Sequence, residues 1–101
     1  MKLLFTPHAN EEVVSAIAYY NDKQKGLGKR FAYELQVAVS YMLSWPNKSE
    51  IRYKNVRAAI VKNFPFLVFY SFNTENKTIL VLSVFNTYQN PTKNKRSIKK
   101  K

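Results

Sequence analysis

The stretch Val56-Arg57-Ala58-Ala59-Ile60-Val61-Lys62-Asn63-Phe64-Pro65-Phe66-Leu67-Val68-Phe69-Tyr70-Ser71-Phe72 decides the fold. Residues 56–62 alternate, with Val56, Ala58 and Ile60 on one side and Arg57, Ala59 and Val61 on the other, ending at Lys62. That period of two predicts a strand. Phe64-Pro65 punctuates, since proline breaks a ladder of backbone hydrogen bonds. Residues 66–72 are rich in β-branched and aromatic side chains, and so are residues 78–85, with a turn over 73–77 between them. These last two strands are apolar on both faces. One face packs under the rest of the chain; the other needs a cover or stands as an exposed apolar patch that marks a partner site.

Working back toward the N-terminus, the pattern changes period. Lys2–Phe5 reads as a short strand. Thr6-Pro7 opens a helix, because threonine caps free N–H groups and proline suits the first helical position. Val13, Ile17 and Tyr20 recur at helical spacing, with Val14 and Ala18 beside them, and this helix is expected to stop near Asn21-Asp22. Gly26-Leu27-Gly28 reads as a turn. A second helix is predicted over Leu27–Ser44, its apolar stripe formed by Leu27, Phe31, Leu35, Ala38, Met42 and Trp45, and Pro46 ends it. So short a turn makes the two helices an antiparallel hairpin. The expected order is strand, helix, helix and three strands.

The 101 residues suffice for one domain. With no cysteine, disulfide scaffolds, zinc–thiolate sites and cysteine catalysis are excluded. No apolar run approaches the roughly 18 residues of a membrane span, and residues 3–5 are too short for a signal-peptide core. A cytoplasmic protein without membrane contact is expected. The net charge of +11 is unevenly placed: residues 1–50 carry six basic and five acidic side chains, whereas residues 51–101 carry eleven basic and one acidic. Such polarity points to a polyanion or an acidic protein as partner. Residues 1–90 form the expected domain. Residues 91–101, with six basic side chains and no acid, form a basic tail expected to be partly disordered.

The order of elements and six local strings resemble the RelE/ParE family of toxins from type II toxin–antitoxin modules, closer to its ParE-like branch. The strings are Thr6-Pro7-x-Ala9; Tyr19-Tyr20 with Gly26-Leu27-Gly28-x-x-Phe31; Pro46; Val56-Arg57; Phe64-Pro65-Phe66 with Tyr70; and the strand of residues 78–84 leading to Pro91. Many ParE-like members close on His-x-x-Arg-x-Pro; here Asn86 and Gln89 stand at the His and Arg positions, and Pro91 is kept. The resemblance implies an α+β fold, with an N-terminal strand and a helical hairpin packed on a small, curved, mainly antiparallel sheet. It implies a cognate antitoxin protein as partner. It also implies one of two targets: DNA gyrase, poisoned without nuclease chemistry in the ParE manner, or mRNA cut on the ribosome in the RelE manner.

RNA cleavage by 2′-hydroxyl attack needs a base, cations for the crowded phosphate and an acid for the leaving oxygen. If the chain is RelE-like, Arg57, Lys62 and Tyr88 are the catalytic candidates. Arginine and lysine stabilise phosphate. A tyrosine hydroxyl exchanges protons near neutral pH only where neighbouring cations favour the phenolate. Arg52, Lys54, Arg57, Lys62, Tyr88, Gln89, Lys93, Lys95 and Arg96 are candidates for binding the target or antitoxin. Each has a plainer reading beside it. Arg52 and Lys54 read as solvated side chains between elements, Arg57 as a structural ion pair, and Tyr88 as a packed ring with a wet hydroxyl. The basic tail reads as a solvated end, a phosphate binder or an anchor for an acidic surface. Glu11 and Glu12 read as helix-end electrostatics rather than a catalytic pair. Phe64, Phe66, Phe69, Tyr70 and Phe72 read as strand core rather than a base-stacking platform. His8 is the single histidine, so no metal site and no cofactor are expected.

Overall fold

Thr6 begins the first helix in the way its chemistry requires. Its hydroxyl oxygen accepts from the Ala9 backbone N–H at 3.0 Å and donates to the Leu82 carbonyl at 3.2 Å, so one side chain caps a helix and ties it to a distant strand. The computed structural model describes residues 1–88. Its elements are β1 (Lys2–Phe5), α1 (Pro7–Lys23), α2 (Leu27–Ser44), β2 (Glu50–Tyr53), β3 (Val56–Val61), β4 (Phe66–Asn73) and β5 (Thr78–Asn86). Among the described residues the strands form one sheet in the order β1-β5-β4-β3-β2. Only the β1–β5 pairing is parallel; the other three are antiparallel. The α+β architecture expected from the sequence is therefore present.

Four strands follow the hairpin, where three were expected. The additional one, β2, reads Glu50-Ile51-Arg52-Tyr53, and all four residues are exposed. A strand with no buried face carries no hydrophobic alternation for a sequence reading to find, and it lies at the sheet edge, where charged residues are common. Arg52 accordingly lies within a strand and not between elements.

The hairpin turn divides its two glycines between different tasks. Gly26 takes φ +85°, a left-handed conformation that glycine adopts at little cost. Gly28 is not a turn residue. It lies inside α2, buried, where an added Cβ would come within 2.5 Å of Asn21 Oδ1 and 2.6 Å of the Ile17 carbonyl oxygen. The Gly28 N–H donates to Asn21 Oδ1 at 3.0 Å, so the two helices cross at backbone distance here.

The core lies between hairpin and sheet. Phe31, Leu35, Ala38 and Met42 of α2 are buried as the stripe predicts, but Trp45 is 54% exposed because it ends the helix as its cap and turns off the stripe. An aromatic group joins the layers: the Tyr20 ring lies 5.6 Å from Phe31 and 4.9 Å from Phe64, and Phe31 lies 4.8 Å from Phe66. Contacts of this kind are worth about 0.5–1.5 kcal/mol each beyond their buried area. Phe64-Pro65 thus both breaks the ladder and supplies a core ring. On the opposite face of the sheet Phe69 packs near Phe85, with ring centroids 6.1 Å apart. Phe69 is half-buried, so it belongs to the second apolar face and not to the core.

β5 carries a bulge. Phe69 pairs with Ser83 and Tyr70 with Val81, leaving Leu82 extra. β1 pairs with β5 only as far as Val81. Beyond that point α1 supplies the missing partners: Glu12 Oε1 accepts from Ser83 Oγ at 2.8 Å and from the Val84 N–H at 2.7 Å. Glu12 is therefore a tether between helix and strand, not only a favourable charge near a helix end. The bulge that exposes these donors leaves no mark in the residue pattern.

Candidate functional site

Grooves flank the hairpin on two sides among the described residues. The first, about 440 Å³, lies where α2 meets β2 and β3; Val37, Tyr41, Ile60 and Leu67 wall it, and Glu34, Arg52 and Lys62 bring charge to it. The second, about 760 Å³, lies between α1 and the end of β5, with His8, Glu12, Tyr19, Asn86 and Tyr88 among its residues.

Arg57 lines neither groove. Its Nη1 donates to the backbone carbonyls of Asn47 at 3.0 Å and Ser49 at 2.8 Å. On β4, Tyr70 is Arg57's register partner, fully buried, and its hydroxyl donates to the Pro46 carbonyl at 3.0 Å. The arginine makes no ion pair within 4.0 Å among the described residues; it clamps the loop that leads from α2 to β2.

The remaining candidates are spread around the molecule. Arg52 Nε lies 3.4 Å from Glu50 Oε1 at the rim of the first groove. Lys54 sits in the turn between β2 and β3, at φ +50°, with its Nζ 5.5 Å from the centre of the Tyr53 ring. Lys62 is exposed just past β3. Tyr88 is 81% exposed, so its ring is not packed, and its N–H donates to Asn86 Oδ1 at 2.9 Å. The structure brings Arg52 and Lys62 to one groove and places Tyr88 at the other. Arg57, Lys62 and Tyr88 do not line a common cavity. Gln89, Lys93, Lys95 and Arg96 lie outside the described residues.

The second groove carries a short polar relay. His8 Nε2 approaches Glu12 Oε2 at 3.2 Å, and Glu12 reaches Ser83 through its other oxygen. The acid stands between histidine and serine, so the histidine does not activate the hydroxyl. Burial, and then the neighbouring Tyr19, hold the Tyr20 hydroxyl above its ordinary pKa of 10.0 and keep it a proton donor. Among the described residues no cluster of three or more His, Asp or Glu side chains is placed to hold a metal, and no helix is long and apolar enough to cross a membrane.

Glu34 was not singled out by sequence reasoning. It is buried, 9% exposed, on α2, and its carboxylate receives one long hydrogen bond, 3.4 Å from Asn63 Nδ2. The available signal was its position: it falls three residues after Phe31 and four before Ala38, on the apolar stripe.

No family model and no curated protein matches the chain. Among solved structures, a chain of the chromosomal ParDE TA system from P. aeruginosa superposes with a TM-score of 0.73 at 16% sequence identity, covering 85% of this chain and 95% of that one. At that identity the likeness is one of fold, and the strand, helical hairpin and mainly antiparallel sheet described above constitute a ParE-like α+β fold.

Proposed function

We propose that the chain is the toxin of a type II toxin–antitoxin module, ParE-like in action. It binds and inhibits a DNA-processing target in the cytoplasm, with DNA gyrase as the target implied by resemblance, and a cognate antitoxin protein neutralises it. The observation that carries this reading is the fold, which matches most of a chain from a ParDE toxin–antitoxin system. The separation of the polar candidates supports the non-enzymatic branch. RNA cleavage needs base, acid and phosphate-binding cation around one phosphate. Lys62 and Tyr88 belong to different grooves, and Arg57 is engaged with loop carbonyls. Lys93, Lys95 and Arg96 are proposed, with Gln89, to contact an acidic surface of the target or antitoxin.

A supercoiling assay with purified, folded protein tests the target directly. Inhibition of gyrase is expected at excess protein, and unchanged supercoiling would sink the gyrase assignment. Mapping mRNA 5′ ends after brief expression tests the ribonuclease alternative; codon-phased cleavage would establish a RelE-like endoribonuclease in place of a gyrase inhibitor.

A further inference from the structure

The geometry points to the first groove as a socket for an arginine side chain of a protein partner, with Glu34 as its anion. A carboxylate taken out of water is costly unless paired and hydrogen-bonded. Glu34 lines the groove, is nine-tenths buried, and among the described residues has only the 3.4 Å bond from Asn63. No cation lies within 4.0 Å of it among the described residues. Two basic residues reach the same groove, yet neither serves it: Arg52 is paired with Glu50, and Lys62 is exposed. Glu34 is therefore left without a paired cation on the open side of the socket, among the described residues.

The walls fit a guanidinium better than an ammonium. Tyr41 offers a half-exposed ring for a planar cation to stack on, and Val37, Ile60 and Leu67 offer apolar surface to its methylene stem. A macromolecular source is indicated by what adjoins the socket. Tyr33, Val37, Tyr41 and Trp45 are 45–61% exposed and recur every four residues, so an aromatic and apolar stripe runs along the outer face of α2. Tyrosine, tryptophan and arginine are enriched at protein interfaces. A partner segment lying along this stripe presents an arginine to Glu34. Naming that partner the antitoxin rests on the toxin reading above; the socket itself does not.

The test uses amide-resolved NMR on the full chain, titrated with N-acetyl-arginine methylamide and, separately, with its neutral isostere N-acetyl-citrulline methylamide. The net charge of +11 repels a cationic probe from the surface at large, which makes a local response informative. Saturable shifts are expected at Glu34, Ala38, Tyr41, Ile60 and Leu67, with the arginine derivative binding about tenfold more tightly than citrulline, the difference between a charged and a neutral hydrogen-bonded pair. Glu34→Gln should abolish that preference. Tyr41→Ala, an exposed change that leaves Glu34 in place, should weaken the arginine derivative alone. Equal binding of both probes, scattered shifts, or unaltered preference in Glu34→Gln overturns the proposal. So does movement of the amides of residues 89–101 in Glu34→Gln without any probe, since the occupant would then be the chain's own tail. None of these outcomes depends on whether the protein inhibits gyrase.

Discussion

Arg57 and Tyr70 stand opposite each other across β3 and β4, and both hold the same loop, through the carbonyls of Asn47, Ser49 and Pro46. Arg57 and Tyr70, which belong to two of the strings that carry the sequence resemblance, thus form a structural clamp. They hold the segment that leaves α2 against the strands that follow β2.

Because the two side chains restrain one segment, their effects should not add. Arg57→Ala is expected to cost about 1.5–3 kcal/mol, the range for hydrogen bonds from a charged donor, and Tyr70→Phe about 1 kcal/mol. Once either is lost the loop is partly free, so the double variant should cost less than the sum by about 0.5 kcal/mol or more. Denaturant unfolding of the four proteins measures this. Strict additivity would mean that the bonds act on independent segments.

Glu12 leads to a prediction about β5. Val84 is 1% exposed, and its N–H has the Glu12 carboxylate as acceptor. Glu12→Ala strands that donor and should cost about 1–3 kcal/mol. Glu12→Gln keeps a carbonyl oxygen at the same place and should cost less. Hydrogen exchange at Val84 should accelerate in Glu12→Ala well beyond the change at Val68 in the neighbouring strand. His8→Ala should leave both quantities nearly unchanged, because the His8 side chain is 68% exposed.

The elements with a buried face were legible because burial imposes a period. Phe31, Leu35, Ala38 and Met42 announced α2, and Val56 to Val61 announced β3. What escaped reading had no period to give. β2 buries nothing, and the bulge at Leu82 is a property of pairing between strands. The candidate side chains fared differently. Their types were readable, but their directions were not: Arg57 turns to loop carbonyls, and Lys62 and Tyr88 part to different grooves, because strand register and turn geometry decide where a side chain points. Glu34 is of a residue type that mostly faces water, and only the packing of α2 on the sheet decides that it is buried.

Gly28 tests the closeness of the hairpin. Alanine is the better helix former by about 1 kcal/mol, so a propensity argument predicts stabilisation. The structure predicts the opposite, because the new Cβ would meet the Ile17 carbonyl oxygen at 2.6 Å, and backbone yields less readily than the Asn21 side chain. Gly28→Ala should destabilise by about 1–3 kcal/mol, as overpacking does. A gain in melting temperature would show that the helices separate freely.

Tyr20 contributes to the loss of stability at alkaline pH. In the unfolded chain its hydroxyl ionises near 10.0, whereas in the folded protein burial, and then Tyr19, keep it protonated to higher pH. Between those two pKa values the folded state holds the extra proton, so unfolding stability falls as pH rises through that window; below it the contribution is constant. Tyr20→Phe has no proton to lose. Its urea midpoint should therefore decline less between about pH 9 and about pH 11 than that of the unaltered protein, even where the variant starts from a similar stability. Parallel declines in the two proteins would show that Tyr20 ionises as readily in its ring cluster as in water.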